Sequence, residues 1–223
     1  MALRALACFT RADVGYALWV ADDDAACLER LAGELGFPLV STVTGRIGEF
    51  VRLLVEWNAR VNLTGARSAL DVVGEHVVDA FAMARMVQSG SSVVDVGSGG
   101  GLPGLAFAIL RPDARVTLVE PRAKRVAFLR TVLRELRLAN AEVFHGRVEA
   151  LGRAGFEVAA SRATFPPDEW LTIGLNLVRP GGMVLVFAGD AWLPKNASLR
   201  AANDLHYMTA SRRSLWIGAF CST

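Results

Sequence analysis

Cysteine is scarce: three in 223 residues, at positions 8, 27 and 221, with no C-x-x-C spacing. That excludes a zinc ribbon or a disulfide framework and fits a reducing, cytoplasmic setting; no metal site is expected. Charge of one sign is also missing, since the formal net charge is only +2. The net charge therefore says little about partners. No apolar run reaches the roughly 18 residues a membrane span needs, so no membrane association is expected. Residues 1–24 are apolar at first, but Arg11 and Asp13 interrupt them, and they are read as a leader or a poorly ordered arm. Internal repeats and low-complexity segments are lacking as well. What remains is a globular composition, 52% hydrophobic, long enough for one good core or a core plus a small helical appendage.

Periodicity divides the chain near residue 90. Asp24 is placed to cap a helix running to about Leu35. Ile47, Phe50, Val51, Leu54 and Val55 recur at helical spacing within a second, about 44–59, and a third is expected over about 69–87. Residues 25–90 thus read as a helical subdomain. From Ser91 the pattern alternates. "SVVDVG", "RVTLVE", "AEVFHG", "FEVAAS", "MVLVFA" and "SLWIGAF" read as strands, and the segments after Pro103, after Arg122 and from Pro166 as helices, the last ended by a turn at Pro180-Gly181-Gly182. Alternation of this kind predicts an α/β domain over 91–223, a doubly wound, mostly parallel sheet.

"VVDVGSGGGLPG" places five glycines directly after the first of these strands. Glycine is costly to order, so a close approach to the backbone is implied. Gly97, Gly99, Gly101 and Gly104 contain a G-x-G-x-x-G, and Glu120 ends the next strand 23 residues past Gly97. Strand, loop, helix and acidic residue in that order suit a nucleotide-type ligand, whose ribose diol the acid accepts. The alternative is a tight strand–helix turn with no ligand. No lysine lies in the loop, which excludes a P-loop. The ligand is NAD or S-adenosylmethionine, and Asp95 favours the second: a carboxylate suits a cationic amino group and sulfonium better than a pyrophosphate.

Arg111 to Arg137 holds eight basic residues against three acidic ones, which leaves −3 for the rest of the chain. Arg125, Arg130, Arg134 and Arg137 are candidates for RNA phosphates, with Arg130, Arg134 and Arg137 in one helical stripe. Arg52, Arg60 and Arg67 are further candidates. A solvated helix face fits the same charges equally well.

The order and spacing of four motifs resemble the RsmG (GidB) family of bacterial methyltransferases, over roughly residues 26–220. They are "LLVEWNARVNLTGARSALDVVGEHVVDAF", the segment from "VVDVGSGGGLPG" through "RELRL", "GRVEAL" and "FEVAASRA". The resemblance implies a class I S-adenosylmethionine-dependent methyltransferase with a Rossmann-like sheet and an N-terminal helical subdomain. It implies methylation of guanine N7 in 16S ribosomal RNA, with that RNA or the small ribosomal subunit as partner and the enzyme a cytoplasmic monomer. Gly97 and Leu102 would line the cofactor site, Glu120 would meet the ribose, Val148 and Glu149 would lie beside the adenine, and Arg162 would contact cofactor or substrate. No general base is expected, since N7 carries an in-plane lone pair and catalysis reduces to alignment. His76 and Asp79, spaced i, i+3, are expected to pair structurally; Asn58 and Asn62 to build caps and turns; Trp57 and Leu63 to pack; and His145 to have no catalytic duty. Two positions depart from the family pattern: Ala80 stands where it has serine and Ala188 where it has lysine, so a basic side chain near the presumed substrate cleft is missing. The alternatives are a small-molecule methyltransferase on the same core and a non-catalytic cofactor- or RNA-binding module.

Overall fold

The computed structural model describes residues 22–152, 155–189, 192–195 and 201–221. Four helical segments come first. Helix α1 spans Asp22–Glu34, α2 Ser41–Val61, α3 Ala69–Val72 and α4 Val78–Met86, with a π-helical turn at Val73–Val77 joining the last two. Asp24 lies inside α1 and does not cap it. Three residues expected in the leader are therefore helical, while residues 1–21 lie outside the described residues. Asn58 closes α2 as expected. Its Oδ1 accepts from the Leu63 and Thr64 amides, its Nδ2 donates to Thr64 and Ala66 carbonyls, and Asn62 takes the left-handed cap position.

The alternating part forms a seven-stranded sheet in the order β3-β2-β1-β4-β5-β7-β6. The strands are β1 Ser92–Val96, β2 Arg115–Glu120, β3 Ala141–His145, β4 Phe156–Ser161, β5 Val178–Ala188, β6 Asn203–Met208 and β7 Ser214–Cys221. The first five are parallel to one another; β7 runs antiparallel between β5 and β6. Helices α5 Gly104–Leu110, α6 Ala123–Glu135 and α7 Pro167–Leu177 make the crossovers.

Two features differ from the sequence reading. Pro180-Gly181-Gly182 is no separate turn but a bulge within β5: Phe156 pairs with Val178 and Val158 with Met183, so three extra residues bow out of the ladder. Strand β6 has no sequence signature. "NDLHYM" is polar, and most of its residues are exposed because it is the edge strand.

Alternation along β1 sends Val93 to one face and Val94 and Val96 to the other. On the first face α2, α4, α5 and α6 bury Phe50, Leu54, Phe81, Met83, Phe107 and Phe128 against the sheet. That apolar cluster is continuous from Leu28 in α1 to Ile217 in β7, so packing crosses residue 90 without a break. On the second face α7 lays Trp170 and Leu171 on Val184 and Phe220, and the Trp170 indole donates to the Leu185 carbonyl at 2.8 Å. Among the described residues no helix is long and apolar enough to cross a membrane, and no group of three or more His, Cys, Asp or Glu gathers as a metal site.

Candidate functional site

The order of strands reverses between β1 and β4, and ligands of open α/β sheets bind beyond the carboxyl ends at such a point. The glycine loop lies there. Gly97 has φ +76°, and a Cβ on it would come within 2.3 Å of the Thr164 hydroxyl, so only glycine fits. Gly99 has φ +53°, and a Cβ on it would meet only ordinary contacts, the Arg125 guanidinium at 3.5 Å and the Gly97 carbonyl at 3.7 Å. Not every glycine faces a ligand space. Gly101 backs onto Leu105, Leu129 and Phe50, and Gly104 onto Asp95, so these two serve the chain's own packing.

Two cavities adjoin the loop, and a third shares residues with the first. The first, about 280 Å³, is walled by Gly97, Ser98, Gly99, Gly100 and Leu102, by Leu63 and Thr64 from the end of α2, and by His76, Arg125 and Arg162. The second, about 200 Å³, has Val96, Val119, Val148, Glu149 and Phe165 around it. The third, about 310 Å³, is formed by His76, Asp79, Arg162, Phe187, Ala188, Tyr207 and Arg213. The first and second share Gly97 and Thr164; the first and third share His76, Arg162 and Ala163. A fourth and larger space, about 390 Å³ between α1, α2 and α3, holds Asp24, Arg52 and Glu56 and lies apart from the loop.

Two acids sit beneath the loop rather than in its walls. Glu120 is buried; its Oε2 accepts from the Gly99 amide and its Oε1 from the Arg122 amide, both at 2.9 Å, and Arg125 stands 3.9 Å away. It therefore fixes the shape of the loop. Asp95 is buried at the tip of β1, and its Oδ2 has no hydrogen-bond partner. Burial pushes its carboxyl up to about 6, opposed by bonding from Ser98 and the Gly104 amide. An orphaned buried carboxylate is costly. A cationic ligand above the loop would offset part of that cost, so the residues present fit S-adenosylmethionine.

Arg162 follows β4 and organises the other side. Its Nη1 donates to Asp79 Oδ2, and both terminal nitrogens reach His76 Nδ1 at 3.2 Å. Tyr207, on β6, donates its hydroxyl to Asp79 Oδ1 at 2.6 Å. His76 and Asp79 thus meet through Arg162 and not through each other. Burial, then the Arg162 charge, lowers the His76 pKa; Asp79 and Glu75 pull it the other way, and Arg213 adds to Arg162. Burial first, and Asp79 next, raise the Tyr207 phenol.

The RNA candidates separate. Arg130, Arg134 and Arg137 are exposed on α6 and just past it, with Arg134 joined only to its neighbour Glu135. Arg125 instead lines the first cavity. Arg52 is held by Glu49 and Glu56, and Arg111 by Asp113 and the Ala84 and Val87 carbonyls. Those two serve the fold. His145 ends β3 exposed, outside the cavity walls. Tyr207, Phe187 and the π-helical turn under His76 were missed. An interrupted helix is a known marker of functional sites, but nothing in "VGEHV" announces one.

Residues 44–213 match the model of the GidB family, rRNA small subunit methyltransferase G. The chain belongs to this family. A ribosomal RNA small subunit methyltransferase G from Xanthomonas axonopodis pv. citri is 38% identical over 171 residues, covering 76% of this chain and 79% of that protein. Its counterpart from Halorhodospira halophila is 35% identical over 189 residues, covering 82% and 87%. Among solved structures, a SAM-dependent methyltransferase from Aquifex aeolicus superposes with TM-score 0.52 at 13% identity over 69% of this chain and 93% of that one. TYW2 from P. horikoshii in complex with MeSAdo gives 0.53 at 13% identity, over 66% and 62%. At such identities these structures establish the fold alone, the one shared by class I methyltransferases.

Proposed function

We propose that this protein methylates guanine N7 in 16S ribosomal RNA, using S-adenosylmethionine, as a cytoplasmic monomer acting on the small-subunit RNA or particle. The observation that carries this reading is the meeting of the first and third cavities at His76, Arg162 and Ala163, at the carboxyl ends of β1 and β4. One cavity is walled by the glycine loop and suits the cofactor; the other suits a base.

When bound, the cofactor supplies a methyl group on a positively charged sulfur, already activated for transfer to a lone pair. Gly97, Gly99 and Leu102 would hold its methionyl and ribose portion, over Glu120 and Asp95. Val148 and Glu149 would flank the adenine in the second cavity. Guanine N7 offers an in-plane lone pair, so no side chain needs to remove a proton. The chain's work is alignment, an effect worth on the order of 7–11 kcal/mol in favourable cases. Half-buried Phe187 gives the third cavity an aromatic face on which an unstacked base can lie. Arg130, Arg134 and Arg137 would hold phosphates outside it.

Ala188 lines the third cavity. A small neutral residue at this position favours a second reading, a small-molecule acceptor, which predicts turnover without RNA. Mass spectrometry of small-subunit RNA from cells with and without the gene decides between them. Loss of one N7-methylguanosine without the gene is expected; an unchanged modification pattern refutes the RNA reading.

A further inference from the structure

Resting on the guanine reading, we infer that His76 recognises the acceptor base: its Nε2–H donates to O6, the oxygen beside N7, and the Arg162–Asp79–Tyr207 network holds it in the tautomer that can do so.

The tautomer follows from the contacts. A guanidinium only donates hydrogen bonds. Both terminal nitrogens of Arg162 reach His76 Nδ1 at 3.2 Å, so that atom must be the bare acceptor and the ring proton must sit on Nε2. A second proton on Nδ1 would face the guanidinium directly. Arg162 is itself fixed by Asp79, and Asp79 by the Tyr207 hydroxyl. Nε2 has no hydrogen-bond partner among the described residues, and the imidazole forms part of the wall between the first and third cavities. The ring is placed by backbone as well as side chains. It lies in the π-helical turn Val73–Val77, where the Gly74 carbonyl accepts from the Ala210 amide at 2.9 Å and Glu75 accepts from the Ser211 amide at 3.1 Å. The loop between β6 and β7 therefore pins the turn that carries His76.

A neutral donor aimed at the reacting edge distinguishes the purines. Beside N7, guanine presents an acceptor, O6, whereas adenine presents the N6 amino donor. A donor at Nε2 bonds the first and opposes the second. His76 is thus a positioning and specificity residue that moves no proton.

The test uses small subunits reconstituted with the modified guanosine, located first by mass spectrometry, either intact or replaced by 2-aminopurine riboside. That base keeps N7 and lacks O6. For the wild-type protein, kcat/KM should fall about tenfold to a hundredfold on losing O6. In His76→Asn the amide oxygen can replace Nδ1 as the acceptor for Arg162, but its N–H stops short of the Nε2 position. The two substrates should then differ by less than about threefold, with guanosine the one that slows. His76→Gln places an N–H near Nε2 and should recover part of the discrimination. Because His76 also lines the first cavity, S-adenosylmethionine affinity is measured by calorimetry for each variant and the two substrates are compared at saturating cofactor. An Asn variant that keeps the wild-type ratio at saturating cofactor overturns the inference alone. A wild-type protein that makes no N7-methylguanosine refutes the guanine reading, and the inference with it.

Discussion

Tyr207→Phe removes one oxygen from the site and leaves the Asp79–Arg162 pair in place. Tyr207 is 6% exposed and Asp79 2%, so the lost bond is a buried one to a charged acceptor. Such bonds contribute about 1.5–3 kcal/mol. Urea unfolding at pH 8 should show a loss of that size. Heat should show a midpoint lower by about 3–12 °C, at 2–4 °C per kcal/mol for a chain of this length. Alkali adds a sharper test. Burial and Asp79 raise the folded-state phenol pKa above its unfolded value of about 10. The unfolded chain therefore releases the Tyr207 proton first, and the contribution of this residue, complete below about pH 10, is lost as pH rises past it. The gap between wild type and variant should narrow by about 0.8 kcal/mol at pH 10.5 and by about 1.4 kcal/mol per further unit. A gap below about 0.5 kcal/mol at pH 8 would mean the hydroxyl is as well solvated as an exposed one. A gap that stays constant through pH 10.5 would mean the phenol is not selectively kept neutral by the fold. Either result refutes the reasoning.

Gly99→Val places a β-branched residue at φ +53°, on the wall of the first cavity, and should weaken S-adenosylmethionine binding at least about tenfold by calorimetry; unchanged affinity in a folded variant would place the cofactor elsewhere. Changing Arg130, Arg134 and Arg137 together to Gln should reduce the slope of log affinity for RNA against log salt by about 2–3, with cofactor affinity unmoved; an unaltered slope returns them to a solvated helix face. Asp95→Asn should stabilise the ligand-free protein by about 3 kcal/mol at pH 7.5, because the folded state raises this carboxyl to about 6 from an unfolded value of about 3.9 and so disfavours its ionised form. That gain should vanish below about pH 4, where both states are protonated, and cofactor binding should weaken; an equal gain at pH 4 and pH 7.5 would exclude ionisation as its cause.

Much of this was legible in the sequence wherever a local physical rule spoke alone. The parallel strands are continuous apolar runs because helices cover both their faces, and the loop after Val96 is visible because glycine is costly anywhere it is not required. Asn58 and Asn62 were readable as turn builders, since their short amides bond nearby backbone. What stayed hidden depends on contacts between distant segments. The roles of the glycines looked alike in sequence, yet a Cβ on Gly99 would meet only ordinary contacts and one on Gly104 would meet Asp95, a difference only the packed helix α5 creates. The bulge in β5 hid behind Pro180-Gly181-Gly182 because a turn and a bulge draw on the same residues.

The substrate side of the site was the least legible part, for a connected reason. Its four polar members come from α4, the turn before it, the end of β4, and β6, and the bonded pair Asp79 and Tyr207 lies 128 residues apart in sequence. His76 and Asp79 had an ordinary explanation as an i, i+3 pair, Arg162 is reached only through the family resemblance, and nothing points to Tyr207. The edge strand that delivers Tyr207 is too polar to read as a strand, and the π-helical turn that carries His76 is tied to a distant segment by the Gly74–Ala210 backbone bond. A Cβ on Gly74 would meet the Ala210 Cβ at 2.6 Å, so that approach requires glycine. Gly74 thus lets the β6–β7 hairpin approach the turn that carries His76. Recognition of the base by His76 then depends on the last two strands of the sheet as much as on the glycine loop.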